Sequence, residues 1–479
     1  MTSTQLVVVG GGPGGYAAAF LAADLGLRVV LVDPEANPGG VCVYRGCIPS
    51  KALLHVANLV SESRHAKAWG IEFGEPRIDL AKLRDFKNGV VSRLTTGTGQ
   101  LVKHRKVQYL QGFAEIVDAH SLTVKLTAGS EEQVQFEHAI LATGSGPAIP
   151  GPLKLPGDND PRVMDSTTAL DLPDIPKSLL VVGGGYIGLE LGTVYAALGS
   201  AVTVVEMTPG LLPGADRDLV DVLAKRITRT FKTVLLETRV VQMAAEAKGI
   251  RVGFEGKADQ KDEVFDRVLV AVGRRPNSGI PGLGRTRVRV DERGFIVVDE
   301  QRRTHEPSIF AIGDVAGEPM LAHKASHEGR VAVEVIVGED VAFAPRAIPA
   351  VVFTDPELAW AGLTEAQAAK ESRAIAVAKF PWGASGRAIT LDRTDGLTKL
   401  VIDPDTERLL GVGLVGPGAG ELIAEGVLAI EMGATATDLK LSIHPHPTLT
   451  ETLMESAEVF FGQATHVYRP RRQKEKAQK

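Results

Sequence analysis

Residues Val7–Asp33 read VVVGGGPGGYAAAFLAADLGLRVVLVD, and Leu180–Glu206 read LVVGGGYIGLELGTVYAALGSAVTVVE, the same pattern 173 positions further on. Gly10, Gly12, Gly15 and Gly26 fall on Gly183, Gly185, Gly188 and Gly199, and Asp33 falls on Glu206. Each stretch runs from an apolar strand through a tight glycine turn and a helix to a second apolar strand closed by an acid. The first glycine makes the turn, and the second lets backbone approach a pyrophosphate. The helix N-terminus then offers unpaired N–H groups and partial positive charge to that anion. The acid, 18 residues after the third glycine, can bind ribose hydroxyls. Singly, Asp33 or Glu206 would pass for a solvated residue at a strand end. Two complete copies argue for two dinucleotide sites.

After Glu206 comes Met207-Thr208-Pro209-Gly210, with no Arg or Lys before Arg217 to receive a 2′-phosphate. The second site should therefore prefer NAD over NADP. Two further strands end in short polar turns, AILATGSG with Thr143-Gly144 and SIFAIGDVAG with Gly313-Asp314. A carboxylate at Asp314 can lie beside a polyol chain, although a plain strand-to-turn boundary reads the same way. From about Ile348 the texture changes to short alternating strands, such as TKLVIDPDTERLLGVGLV, followed by a helical stretch. The expected fold is α/β, with two Rossmann-like dinucleotide-binding domains and a separate C-terminal α+β domain.

A chain of 479 residues has room for about three such domains. Its net charge of -5 gives no general attraction to nucleic acid or anionic lipid, and no apolar run approaches the ~20 residues of a membrane span. The N-terminus MTSTQLVVVGGG enters a strand directly, which points to a cytoplasmic protein; a trimmed organellar one would look the same.

The two cysteines of the chain, Cys42 and Cys47, lie in GGVCVYRGCIPSKALLH, close behind Asp33 and therefore close to the first nucleotide site. In an ideal helix, residues five apart have α-carbons roughly 8 to 9 Å apart, beyond disulfide reach. Bridging requires a distorted turn, which Gly46 and Pro49 permit. The pair reads as redox-active, against the alternatives of two structural thiols or half of a zinc site completed by His444 and His446. A dithiol yields two electrons and two protons whereas NAD accepts a hydride, so a flavin is needed between them. FAD then belongs beside the cysteines and NAD in the repeat. Lys51 can stabilise a thiolate or a reduced flavin, though solvent exposure explains it equally. Glu190 falls in the first turns of the second repeat's helix, where the dipole alone favours a carboxylate.

Near the C-terminus, IHPHPTLTETLMESAEVFF carries His444, His446 and Glu451. Thiol chemistry at neutral pH needs a base with a pKa near 7, and a carboxylate five residues beyond His446 can orient that imidazole. Thr448-x-x-Glu451 is equally a capping-box pattern.

With the paired glycine motifs, CVYRGCIPSK and HPHPTLTE together, the sequence resembles the pyridine nucleotide-disulfide oxidoreductases over nearly its whole length. GGGYIGLELG, AVGRRPN, FAIGDV, PMLAHKASHEG and FTDPELAWAGLTE stand in the family's order. The resemblance implies an FAD domain at 1–149, an NAD domain at 150–278, a central region at 279–345 completing the FAD domain, and a dimerisation domain at 346–465. A basic tail, 466–479, follows. It implies a homodimer in which each active site is completed by the partner's C-terminal histidine, with no metal. Cys42 corresponds to the interchange thiol, Cys47 to the thiol against the flavin, and Lys51 with Glu190 to the charged pair near flavin and nicotinamide. His446 corresponds to the base and Glu451 to its orienting carboxylate. Gly10, Gly12, Gly15, Asp33, Lys51, Thr143, Gly144, Asp314, Met320, Leu321, Ala322, His323, Gly183, Gly185, Gly188, Glu206 and Gly273 correspond to cofactor contacts, Asp33 and Asp314 to FAD and Glu206 to the NAD ribose.

The activity implied is oxidation of protein-bound dihydrolipoamide to lipoamide with reduction of NAD, and the partners implied are the lipoyl domains of 2-oxo acid dehydrogenase acyltransferases or of a glycine cleavage carrier protein. Mercuric reductase and the larger thioredoxin reductases carry a C-terminal cysteine or selenocysteine pair that is absent here, and glutathione reductase carries arginines after the second acid. Val41 stands where the family usually has Thr, Val43-Tyr44-Arg45 replace a Leu-Asn-Val type segment, and Pro445 separates the two histidines. The rival readings are reduction of another disulfide or electrophile with NADH, and a binding role within a multienzyme complex.

Overall fold

The computed structural model describes residues 2–155, 160–258 and 261–468, so most of the basic tail lies outside the described residues. The chain divides into two compact units, one of 1–176, 243–250 and 266–344, the other of 177–242, 251–265 and 345–479. Among the described residues no helix is long and apolar enough to cross a membrane.

In the first unit, β1 (Thr2–Val9), α1 (Pro13–Asp24) and β2 (Val29–Asp33) form the first glycine repeat. Pro13 opens α1, where its missing N–H costs nothing and its fixed φ suits the helix. Around β1 lies a parallel sheet: β2 on one side, with Gln108–Asp118 beyond it, and Glu131–Leu141 on the other, followed by Ile309–Ala311. The registers Val9↔Val32, Val9↔Leu141 and Ala311↔Leu141 bring the carboxyl ends of four strands to one edge. Ser121–Leu126 joins Gln108–Asp118 and Glu131–Leu141 as an antiparallel meander. β1 and β2 read VVV and VVLVD because both faces of this sheet are covered. Leu6, Val8 and Leu31 bury into one core with Ala18 and Ala22, while Val7, Val9 and Val32 bury into another with Leu110 and Ile116.

In the second unit, Ser178–Val182, Tyr186–Leu198 and Ala201–Val205 repeat the same order, and Thr233–Leu235 extends the parallel pairing. Beyond 345 the chain forms an antiparallel sheet in the order Ala350–Val352, Leu358–Gly362, Leu409–Val415, Leu397–Ile402, Ala376–Pro381. Helices Ala419–Met432, Ala436–Leu441 and Glu451–Phe461 accompany it around a core that includes Trp382, Phe380, Leu414 and Leu453. The expected α/β plan with a C-terminal α+β domain is the one observed.

Candidate active site

The repeat extends to individual hydrogen bonds. Gly10 N donates to Val32 O at 2.8 Å, and Gly183 N donates to Val205 O at 2.9 Å. The Asp33 carboxylate accepts from Gly11 N and Glu35 N, and that of Glu206 accepts from Gly184 N and Thr208 N, in each case one backbone N–H per oxygen. The glycines are needed for close approach: a Cβ on Gly15 would stand 1.8 Å from Gly10 O, and one on Gly188 would stand 2.2 Å from Gly183 O. Gly10 has φ +106 and Gly183 has φ +110, which side chains rarely adopt.

Asp33 is buried, which raises its carboxyl to about 6, against the lowering effects of the Gly11 hydrogen bond and the Arg45 charge. In the unfolded chain the same group titrates near 3.8. The raised value means that the folded state holds this proton more tightly. Its stabilising contribution is therefore complete below pH ~4 and is lost as pH rises through ~6, a swing on the order of 3 kcal/mol. FAD-free protein should accordingly melt at higher temperature at pH 5 than at pH 7, and Asp33→Asn should flatten that difference; an unchanged pH slope in the variant would count against it.

The segment that leads into the cysteines packs on the first glycine turn. Gly39 N donates to Gly11 O at 2.7 Å, and a Cβ on Gly40, at φ +56, would meet Gly12 Cα at 2.5 Å. From there α2 (Gly40–Arg45) carries Cys42, and α3 (Cys47–His65) begins at Cys47. Gly46 separates the two helices at φ -145 and ψ -114, far from helical values. The distorted turn expected between the cysteines is thus a complete break, and it lets the two thiols hydrogen-bond to each other. That bond is the largest cause pushing the Cys42 thiol up, followed by burial and the Cys47 charge, while Lys51 acts in the opposite sense. Tyr16, in the first turn of α1, also feels both cysteines: its phenol is raised by burial first and then by the charges of Cys42 and Cys47. No local pattern in the sequence marked Tyr16.

The unusual 43–45 segment ties the redox helix to the loop behind Asp33. Tyr44 Oη donates to Asn37 O at 3.0 Å, Arg45 pairs with Glu35, and Val43 is buried.

The other first-unit residues meet the same glycine turn. Helix Ala322–Ile336 begins beside α1, for a Cβ on Gly14 would touch Ala325 O at 3.0 Å and Ser326 Oγ donates to Pro13 O at 3.2 Å. Two helix N-termini therefore converge there. Met320, Leu321 and Ala322 lead into that second N-terminus, half-buried, and His323 is exposed. Asp314 accepts from Ser145 Oγ at 2.5 Å. Thr143 Oγ1 donates to Asn277 O at 2.9 Å, and Gly144, at φ +71, faces open space. The Asp314 turn is itself held by Glu328, fully buried, which accepts from Gly313 N at 2.6 Å and pairs with Arg302 and Lys324. Glu328 and its two cations went unmarked in the sequence.

In the second unit, Glu190 is buried in its helix and accepts from Phe353 N at 3.0 Å. Gly273 belongs to the first unit, where its carbonyl accepts from Ala148 N at 3.0 Å. His446 is largely exposed, and its Nδ1 lies 2.9 Å from Glu451 Oε1. Glu451 Oε2 accepts from Thr448 N at 2.8 Å. Burial works upward on Glu451, but the Thr448 N–H, the His446 bond and the charges of His446 and His466 more than offset it, so the carboxyl is lowered. Only half of a capping box is present: the helix starts at Glu451 behind Thr450, and the Thr448 hydroxyl donates to Pro445 O. His444 makes a separate pair, its Nε2 2.7 Å from Glu425 Oε1.

Family models agree with this geometry. The pyridine nucleotide-disulphide oxidoreductase model matches residues 4–329, and the dimerisation domain of the same family matches 348–457. The chain belongs to the pyridine nucleotide-disulphide oxidoreductase family. It is 50% identical over 464 residues to a dihydrolipoyl dehydrogenase of Haemophilus influenzae, covering 96% of each chain. It is 47% identical over 471 residues to one of Thermus scotoductus, covering 98% of this chain and 99% of the relative. Among solved structures, LpdA from Mycobacterium tuberculosis superposes with a TM-score of 0.87 at 27% identity, covering 96% of this chain and 99% of that one. The HOCl-induced flavoprotein disulfide reductase RclA from Escherichia coli does so at 0.83, with 28% identity and coverage of 95% and 99%. The chain is an oxidoreductase whose cofactors are FAD and NAD.

The residues present fit both groups. Two converging helix N-termini and a turn that only glycine can make suit the FAD pyrophosphate, and Asp33 and Asp314, at the carboxyl ends of strands of the same sheet, have the chemistry to accept from ribose and polyol hydroxyls. Gly183, Gly185, Gly188 and Glu206 offer NAD the same cradle.

Proposed function

We propose that this protein oxidises protein-bound dihydrolipoamide to lipoamide and reduces NAD, as a homodimer in which His446 of one protomer serves the cysteine pair of the other. The observation that carries the reading is the Cys42–Cys47 pair, broken out of helical geometry at Gly46 and led in by Gly40, which packs on the first glycine turn. With Nδ1 held by Glu451, His446 presents Nε2 as the basic nitrogen. It takes a proton from one substrate thiol. The resulting thiolate attacks the Cys42 sulfur of the oxidised pair, forming a mixed disulfide and releasing Cys47 as a thiolate. The second substrate thiol attacks the substrate sulfur of that mixed disulfide, closing lipoamide and returning Cys42 with a proton. Two electrons and two protons have then left the substrate. Bound FAD supplies the conversion of this electron pair into a hydride for NAD. Lys51 holds positive charge near the reduced cysteines, and Glu190 is the buried acid at the nicotinamide end.

The functional division that goes with this reading is FAD at 1–149 and 279–345, NAD at 150–278, and dimerisation at 346–465. The partners are lipoyl domains of 2-oxo acid dehydrogenase acyltransferases or of a glycine cleavage carrier, met in the cytoplasm. The test is NADH formation by the purified protein from dihydrolipoamide and NAD, with NADP and reduced glutathione in parallel. NAD-selective turnover of dihydrolipoamide is the expected result. A flavin-loaded protein that turns over glutathione but not dihydrolipoamide would overturn it.

A further inference from the structure

Leu141 and Ala311 pair in the parallel sheet, so the turns that leave those two strands run side by side. Ser145 stands four residues past the first and Asp314 three residues past the second. Ser145 is 2% exposed, and its Oγ donates to Asp314 Oδ2 at 2.5 Å. The same hydroxyl accepts from Arg274 Nε at 2.7 Å, while Arg274 Nη2 donates to Ser145 O at 2.6 Å. Arg274 comes within reach because Arg274–Pro276 lies antiparallel to Ser145–Pro147.

The direction of these bonds is fixed by what each group can do. A guanidinium only donates, and a hydroxyl has a single hydrogen to give. Arg274 therefore fills an acceptor position of Ser145 Oγ, and the one hydrogen goes to Asp314 Oδ2. The backbone beneath Asp314 is fixed separately. Gly313 N donates to Glu328 Oε2 at 2.6 Å, Lys324 Nζ donates to Gly317 O at 3.0 Å, and Lys324 and Glu328 pair with each other. One ion pair thus clamps the turn 313–317 at both ends, and the freedom that remains is rotation of the Asp314 side chain. Ser145 removes it.

We infer that Ser145 is a positioning residue for FAD: directed by Arg274, it takes Oδ2 of Asp314 and holds the carboxylate in a rotation that leaves Oδ1 for a hydroxyl of the bound polyol. The inference rests on the reading of Asp314 as an FAD contact. A purely structural tie between strand 274–276 and the sheet would be served by the bond from Arg274 to Ser145 O and has no need of the bond to Asp314.

The experiment dilutes the flavin-loaded protein and follows release of FAD by its fluorescence. Ser145→Ala should release FAD about five- to tenfold faster than the parent, the effect of one misdirected hydrogen bond. Arg274→Met frees the Ser145 hydroxyl to turn and should speed release by a smaller factor, about two- to threefold. Asp314→Ala should release FAD fastest, and adding Ser145→Ala to it should change nothing further. Release from Ser145→Ala at the parental rate overturns the inference. So does a Ser145→Ala effect that persists in full on top of Asp314→Ala, because a general loosening of the fold does not act through that carboxylate. Should Ser145→Ala not fold, Arg274→Met with and without Asp314→Ala decides by the same comparison. If Asp314→Ala holds FAD as the parent does, the reading of Asp314 falls and this inference with it; if Asp314→Ala loses FAD while Ser145→Ala and Arg274→Met keep it, this inference alone falls.

Discussion

Replacing Cys47 with serine should abolish dihydrolipoamide oxidation, by at least about a thousandfold, while the purified protein stays yellow. A serine hydroxyl cannot form the bond to Cys42 that the substrate thiolate must break. The FAD cradle does not depend on that sulfur: the close approach of Gly15 to Gly10, the Asp33 bonds to Gly11 and Glu35, and the Glu328 hold on Gly313 are all untouched. The break at Gly46 is a backbone feature and should persist. A second readout comes from the thiol that remains. Its hydrogen bond to Cys47 is the largest cause holding the Cys42 thiol up, so Cys42 in Cys47→Ser should be alkylated faster at pH 8 than in the reduced parent. Flavin absorbance, NADH formation and the alkylation rate together decide the matter. Full activity in Cys47→Ser would remove the disulfide from the reaction.

Much of this site is readable from residue order because its parts are local. The glycine repeat prescribes turn, helix start and closing acid within 27 residues, and its two copies agree down to which oxygen takes which N–H. The need for a distorted turn between Cys42 and Cys47 follows from helix geometry, and Gly46 supplies it. What was hidden is tertiary. Tyr16 meets the cysteines only because Gly40 packs on Gly12. Glu328 reaches Gly313, and His466 reaches Glu455, through chain returns that leave no periodic trace. Tyr44 and Arg45 stood out as departures, but their use in gripping Asn37 and Glu35 required the folded loop. Thr448-x-x-Glu451 misled in part for the opposite reason. The local pattern is real, yet the helix starts later and the carboxylate divides itself between Thr448 N and His446.

His446→Gln should lower kcat/KM for dihydrolipoamide by on the order of 10² to 10⁴, the span a positioned general base supplies. Glutamine can still hydrogen-bond to Glu451 but cannot take the thiol proton, so the substrate must arrive already ionised. The loss should therefore shrink as pH rises toward the thiol's own pKa. NADH-driven reduction of a soluble one-electron acceptor should survive, since that route needs no thiol base. Glu451→Gln should cost less, because His446 keeps Nε2 while losing the carboxylate that fixes its tautomer and stabilises the imidazolium. The lowered Glu451 carboxyl gives this pair its working range. Only once acid protonates Glu451, below the usual carboxylate pH, should the parent enzyme come to resemble Glu451→Gln. Across the neutral range the ordering parent, Glu451→Gln, His446→Gln should hold for dihydrolipoamide and vanish for the acceptor assay. A His446→Gln protein equally impaired in both assays would place the histidine's role in the fold of the C-terminal domain and not in proton transfer.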